Sequence, residues 1–211
     1  MPRPAAKRGK ANGHGHAHGH EGHEPSDDHD CDHDHDEEHV AGGGPARHRA
    51  DAGKASFGAA VITVSSTRTA RTDNSGRLLA EFFTDAGHKV LVRAIVRDDV
   101  KQIRAAVKKA LATSGVDIVV TSGGTGMTPS DVTVEAVVPL LLKRADGWSD
   151  VFRAVSREEI GNAAMFSRSV AGTAPGGKWI VSIPGSEGAA RTAMLRLILP
   201  EISHMMYEAR R

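Results

Sequence analysis

The chain has 211 residues and a mass of 22.3 kDa, which suits one ordinary domain with an additional segment. Its 27 Lys and Arg residues nearly balance 26 Asp and Glu residues, so a net charge of +1 excludes nucleic-acid or membrane binding driven by bulk charge. No apolar stretch approaches the ~18–20 residues that cross a bilayer, and the single cysteine, Cys31, cannot form an internal disulfide. We therefore expect a cytoplasmic protein that binds neither nucleic acid nor membrane.

Residues 1–57 have the composition of a disordered extension. They contain 7 Lys or Arg, 11 Asp or Glu, and a single branched aliphatic residue, Val40. So little apolar area cannot offset the entropy lost on ordering. Neutral imidazoles with one thiol suit Ni²⁺ or Zn²⁺, and the candidate ligands are His14, His16, His18, His20, His23, His29, Cys31, His33, His35 and His39. The alternative is a solvated low-complexity segment whose metal affinity is incidental.

From Gly58 onward, short apolar runs alternate with amphipathic stretches, a pattern typical of βα units around a parallel sheet. The runs predict strands at 58–64, 90–96, 116–121, 169–173 and 179–183. Apolar residues at three- and four-residue spacing predict helices at 75–86, 99–113, 133–144, 150–166 and from 187 onward, the last interrupted at Pro200. We predict a three-layer α/β/α sandwich with a mostly parallel sheet over residues 58–211.

Two glycine-containing loops follow strands of the same polarity. The first is Ser122, Gly123, Gly124, Thr125 and Gly126, whose glycines permit positive φ and close approach of an anion to the main chain. It matches neither the Walker A nor the dinucleotide-binding pattern. The second is Pro184, Gly185 and Ser186, where Ser186 suits a helix N-cap. The alternative for each loop is a simple connection without a ligand, but in a parallel sheet both loops lie at one edge, where ligands bind.

Acidic residues are expected at the same edge. Asp98 follows the second strand and Asp131 follows the first glycine loop, so the pair could hold Mg²⁺ beside a phosphate. Asp73, Ser75 and Gly76 open the first helix and could line the same edge. The competing interpretation is that these acids are helix caps or solvated residues.

Several motifs in register resemble one family. They are TSGGTGMTPSDVTVEA, SREEIG, SRSVAG and SIPGS, preceded by AVITVSSTRT, DNSGRLL and AGHKV. In order and spacing they resemble the MoaB/MogA family of molybdenum cofactor biosynthesis proteins, whose domain also occurs in gephyrin. The resemblance covers about residues 58–211 and is stronger to the MoaB branch.

The resemblance implies an α/β/α domain that binds molybdopterin and, in competent members, adenylylates it with ATP and Mg²⁺. It assigns the catalytic and magnesium-binding roles to Asp98 and Asp131 and the binding of pterin and nucleotide to both loops and the 73–76 turn. It also implies a homotrimer or homohexamer and a partner protein for metal insertion. Arg68 and Arg168 could supply charge for phosphate, although either could form a surface ion pair.

The chain departs from the family pattern at two positions. Ser66 stands where the family often has an acid at the end of its first strand, and no proline precedes Asp98. These departures leave two alternatives to the enzyme open. One is a molybdopterin-binding carrier without turnover, and the other is a metal-handling protein that acts through its histidine-rich extension.

Overall fold

The computed structural model describes residues 55–211, in which six strands form one sheet. The strands are β1 (Gly58–Val64), β2 (Lys89–Val96), β3 (Ile118–Ser122), β4 (Lys143–Arg144), β5 (Val170–Ala174) and β6 (Lys178–Ile183). The helices are α1 (Asn74–Asp85), α2 (Val100–Ala112), α3 (Thr133–Val137), α4 (Asp146–Ile160), α5 (Glu187–Ala193) and α6 (Leu199–Arg210).

The sheet has the strand order β2-β1-β3-β6-β5-β4. The pairs β1–β2, β1–β3 and β3–β6 are parallel, whereas β5 runs antiparallel to both β6 and β4. The prediction of a mostly parallel sheet is therefore confirmed. Because β1, β3 and β6 are adjacent and parallel, the loops that follow them emerge at one edge.

Helices cover both faces of the sheet, as predicted. Successive residues of a strand point to opposite faces, so Val61 packs with Leu79 and Phe83 of α1, whereas Ile62 packs with Ile103 of α2. A strand buried on both faces reads as an uninterrupted apolar run. This is the physical reason that the sequence GAAVITV forms β1, an interior strand of the sheet.

The prediction of one helix over residues 133–144 was wrong. Helix α3 ends at Val137, a 3₁₀ turn follows at Val138–Leu140, and Lys143–Arg144 form the edge strand β4. Pro139 lacks an amide hydrogen and its ring would clash with the carbonyl four residues earlier. That carbonyl, of Glu135, accepts a hydrogen bond from Arg104 instead (3.1 Å).

The predicted interruption of the last helix is present, but it precedes Pro200. A π-helical turn at Met194–Ile198 joins α5 to α6, and Pro200 lies in the first turn of α6. Proline lacks an amide hydrogen and its ring clashes with the carbonyl four residues earlier, and the π-helical turn ahead of Pro200 breaks the regular α-helical hydrogen-bond pattern at this point. In residues 55–211, no helix is both long and apolar enough to span a bilayer.

The start of the domain includes Phe57, which the sequence prediction assigns to the extension. Phe57 is buried among the residues that pack under α1 and α6, and its carbonyl accepts a hydrogen bond from the Lys89 amide (2.9 Å). The rest of the predicted extension lies outside the described residues, apart from Ala55 and Ser56.

Candidate functional site

The two glycine-containing loops meet at the carboxyl edge of the sheet. The register pairs Ser122 at the end of β3 with Thr63 of β1 and with Ile183 of β6. A β-carbon built on Gly185 would lie 3.1 Å from the Cα of Gly123. The loops are therefore in direct backbone contact.

A cavity of about 450 Å³ opens at this contact. This volume is within the range of small-molecule sites, ~300–1,000 Å³. Residues from four segments line it: Thr63, Val64, Ser65, Arg68, Ser75, Ser122, Gly123, Gly124, Thr125, Gly126, Asp131, Ala163, Phe166, Ser167, Pro184, Gly185 and Ser186. The structure thus brings together the whole first loop, the second loop, Ser75 and Asp131.

The first loop has the backbone of an anion cradle. Gly123 and Gly124 have φ values of 106° and 61°, in the left-handed region that favours glycine. Among the described residues, no acceptor takes a hydrogen bond from the amides of Gly124 and Thr125. Adjacent unpaired amides in such a turn attract anions, so this segment suits a phosphate group.

Asp131 lies against the end of this loop. Its Oδ2 accepts hydrogen bonds from the Thr128 hydroxyl (2.5 Å) and amide (2.9 Å). The Thr128 hydroxyl bond, amide bonds from Thr128 and Gly126, and the Arg168 charge outweigh desolvation and hold the pKa of Asp131 below its ordinary value. Asp131 is therefore a carboxylate at neutral pH.

Asp98 lies beside Gly124 of the loop and does not line the cavity. Its Oδ1 is 3.0 Å from the position of a β-carbon on Gly124, and its Oδ2 accepts a hydrogen bond from the Ser66 hydroxyl (2.8 Å). The Asp98 amide donates back to the same hydroxyl (3.3 Å). Ser66, the residue that replaces an acid of the family pattern, thus orients the Asp98 carboxylate.

The donor set fits magnesium that is shared with a bound phosphate. Asp98 and Asp131 flank the loop, and in residues 55–211 no group of three or more His, Cys, Asp or Glu side chains could hold a metal by itself. Mg²⁺ characteristically takes one or two carboxylates together with substrate phosphates and water. Two carboxylates beside a phosphate cradle meet that requirement.

Arg68 contributes the cation of the cavity wall. Its guanidinium donates to the carbonyl of Gly185 (3.1 Å) and to the Ser75 hydroxyl (3.3 Å). The sequence suggests Arg68 as a candidate for phosphate charge without separating it from a surface arginine. Its position depends on the contact with Gly185, which lies 117 residues further along the chain.

Arg168 contacts the first loop from outside the cavity. It donates to the carbonyls of Thr125 (3.1 Å), Gly126 (2.8 Å) and Asp131 (2.8 Å), and it forms an ion pair with Glu135. The hydrogen bond from Arg168 is the main cause that holds the pKa of Glu135 below its ordinary value. The arginine therefore joins the loop to α3.

Asp73 and Gly76 lie beside the cavity and do not line it. The Asp73 carboxylate is buried, caps α1 by accepting from the Gly76 amide (3.0 Å), and accepts from the Thr63 hydroxyl (2.9 Å). Both of its oxygens therefore face protein donors. A β-carbon on Gly76 would lie 2.2 Å from Asp73 Oδ2, so glycine permits this close approach.

The candidate metal ligands of the extension, His14 to His39 with Cys31, lie outside the described residues. Their assignment stays a prediction from the sequence.

Within the second loop, the predicted cap is present, since Ser186 Oγ accepts from the Ala189 amide (3.1 Å) at the start of α5.

Comparisons with known proteins cover this site. A family model described as a "Probable molybdopterin binding domain" matches residues 60–204. Molybdenum cofactor biosynthesis protein B of Bacillus cereus is 49% identical over 152 residues, which are 72% of this chain and 89% of that protein.

Two solved structures are similar as well. The tungsten cofactor synthesizing protein MoaB from Pyrococcus furiosus is 37% identical with a TM-score of 0.68, over 74% of this chain and 98% of that chain. The molybdopterin biosynthesis Mog protein from Mycobacterium ulcerans is 29% identical with a TM-score of 0.65, over 74% and 99%. The residues that the family model matches include both loops, Asp98 and Asp131.

Proposed function

Because this chain belongs to the MoaB/MogA family of molybdenum cofactor biosynthesis proteins, we propose that it binds molybdopterin and adenylylates it with Mg-ATP before metal insertion. One observation carries the proposal. Gly124 and Thr125, whose amides have no acceptor among the described residues, line the same cavity as Arg68 and Asp131. Phosphate donors and a magnesium ligand therefore share a cavity large enough for small molecules.

The proposed reaction transfers AMP from ATP to the phosphate group of molybdopterin. A phosphate oxygen of molybdopterin attacks the α-phosphorus of ATP, the bond from that phosphorus to the bridging oxygen breaks, and pyrophosphate leaves with the bond electrons. This chemistry needs alignment and charge stabilisation and no protein nucleophile. The loop amides and Arg68 bind and orient phosphate oxygens.

Asp98 and Asp131 would hold the magnesium ion. Bound there, Mg²⁺ would neutralise phosphate charge next to the loop. The Thr128 hydrogen bonds keep Asp131 ionised, and the Ser66 hydroxyl fixes one oxygen of Asp98. Both carboxylates are thus oriented by the protein before any ligand arrives.

Incubation with molybdopterin, ATP and Mg²⁺ tests the proposal, with detection of adenylylated pterin and pyrophosphate. Asp131→Asn should lower the rate by about a hundredfold or more, since it removes a magnesium ligand, while circular dichroism shows the fold retained. Asp150→Asn is the matched control, because Asp150 is an exposed acid paired with Arg153 outside the cavity. A wild-type rate for Asp131→Asn would remove Asp131 from the proposed site.

A pterin carrier without turnover is the second candidate. Ser66 favours it. The family pattern often has an acid at this position, whereas here the Ser66 hydroxyl donates a hydrogen bond to Asp98 Oδ2 and the site has one carboxylate fewer. The same assay decides between them. Tight molybdopterin binding with no adenylylated product would select the carrier, and neither binding nor product together with tight metal uptake would select a metal-handling role for the extension.

The oligomer is proposed to be a homotrimer or homohexamer that works with a metal-insertion partner. Ile160, Met165 and Phe166 support an interface because these large apolar side chains are 52%, 67% and 61% exposed within one short segment. Light scattering after gel filtration measures the assembly, and a monomer at micromolar concentration would contradict this proposal.

A further inference from the structure

Two residues hold the last four carbonyl groups of the first glycine loop, those of Gly123 to Gly126. Thr133 donates from its hydroxyl to the Gly123 carbonyl (2.8 Å) and from its amide to the Gly124 carbonyl (2.8 Å). Arg168 Nε donates to the carbonyls of Thr125 (3.1 Å) and Gly126 (2.8 Å). Four consecutive peptide groups are therefore fixed from outside the cavity.

Fixing a carbonyl also fixes an amide. In a trans peptide the C=O of one residue and the N–H of the next point in opposite directions within one plane. Thr133 therefore sets the direction of the Gly124 and Thr125 amides, and Arg168 sets those of the following two residues. Thr133 thus orients the two amides of the cradle, and Arg168 holds the next two peptide groups, which continue the loop toward Asp131.

Thr133 and Arg168 are both connected to the short helix α3. Thr133 is its first residue and is buried, and Glu135, two residues later, forms the ion pair with Arg168. Arg168 also donates to the Asp131 carbonyl (2.8 Å), so the same guanidinium reaches the backbone of the acid beside the cavity. The arginine lies 42 residues beyond Gly126 in the chain and lines no part of the cavity.

We propose that Arg168 is a positioning residue for the phosphate cradle and that its charge does not act on the ligand. Its donors are engaged by three carbonyls and Glu135. A planar guanidinium with five N–H donors can satisfy this set, whereas the three donors of a lysine ammonium diverge from one atom. The identity of the phosphate as that of molybdopterin or ATP rests on the proposed function.

Two readouts on the full chain test this role. Arg168→Lys should lower kcat/KM for adenylylation by about tenfold to a hundredfold, since small misplacement of a binding group costs this much. Hydrogen–deuterium exchange of residues 122–133 without ligand should become faster. Arg196→Lys is the matched control, because Arg196 forms an exposed ion pair with Glu158 and lines no part of the cavity, and it should change neither readout.

Every outcome of these measurements supports or refutes the positioning role of Arg168. If Arg168→Lys keeps kcat/KM within twofold of wild type, or if Lys restores the activity that Arg168→Gln loses, charge is sufficient and the positioning role is refuted. If wild type makes no product, the proposed function fails, and the exchange of residues 122–133 alone supports or overturns the anchoring. Should Arg168→Lys not fold, Glu135→Gln replaces it, with faster loop exchange supporting the proposal and unchanged exchange refuting it.

Discussion

At the scale of single residues, Gly123 shows how strictly the cradle depends on glycine. Its φ is 106°, and a β-carbon there would lie 2.2 Å from the Val64 carbonyl oxygen. Positive φ alone costs an L-residue ~1–2 kcal/mol, and a backbone oxygen cannot move aside cheaply. We expect Gly123→Ala to lower the free energy of unfolding by about 2–4 kcal/mol in urea titrations.

Gly147 is the control for that substitution. It lies in the first turn of α4, and a β-carbon there would meet no atom within 4 Å. Gly147→Ala should raise the free energy of unfolding by about 0.5 kcal/mol, because alanine loses less backbone entropy. Equal effects of the two substitutions would contradict the strain assigned to Gly123.

The Glu135–Arg168 ion pair predicts a pH dependence of stability. Arg168 lowers the pKa of Glu135, while the nearby Asp131 charge opposes this effect. A carboxyl with a lowered pKa adds stability that is complete above its ordinary value of ~4.3 and is lost as pH falls through the folded value. The difference in unfolding free energy between wild type and Glu135→Gln should therefore be largest near pH 6 and shrink toward pH 2. A difference that stays constant over this range would rule out the ion pair as its source.

At the scale of elements, the caps of α1 and α2 should differ in their contribution to stability. Asp73 is buried and accepts from the Gly76 amide and the Thr63 hydroxyl, whereas Asp99 is partly exposed and accepts from the Gln102 amide (2.8 Å). Asp99→Ala should cost about 1 kcal/mol, as an ordinary cap does. Asp73→Ala should cost about 2–4 kcal/mol because it also leaves a buried hydroxyl without an acceptor. Urea unfolding of both variants measures this, and equal losses would contradict it.

Elements with a strong apolar period could be predicted from the sequence, and elements made by long-range contacts could not. β1 and β3 are buried along their whole length and are rich in Val and Ile, and Ile103 and Val107 on α2 show helical spacing. β4 is only Lys143–Arg144, and two charged residues show no regular spacing of apolar side chains that would predict a strand. Its strand conformation comes from pairing with Thr173 and Gly172 of β5, which no local pattern records.

The same distinction applies to the site. The spacing of the glycines after an apolar strand predicts the first loop and its position at the sheet edge. The anchoring by Arg168 could not be predicted because the arginine and the loop are joined by contacts across 42 residues of chain. Asp73 precedes a helix as an N-cap does, and the structure shows its carboxylate engaged by the protein and absent from the cavity wall.

At the scale of the whole molecule, the chain divides into two regions of opposite charge. Residues 1–57 have 7 basic against 11 acidic side chains, and residues 58–211 have 20 against 15. Nine of the 12 histidines lie between His14 and His39. Transition-metal ligands are thus concentrated in a segment separate in sequence from the loops and acids of the cavity, so metal uptake and adenylyl transfer should be separable by deletion.

Deletion of residues 1–50 should abolish tight Ni²⁺ binding and leave the unfolding midpoint of the domain unchanged. Residues 55–211 contain no group of three or more metal-ligating side chains, and Phe57, the first core residue, is retained. Imidazole binds metal in its neutral form, so the affinity of the full chain should also fall below about pH 6. Calorimetric titration with Ni²⁺ at pH 7.5 and pH 5 measures both effects, and adenylylation by the shortened chain serves as the control. Undiminished Ni²⁺ binding after the deletion would place the metal site within the domain instead.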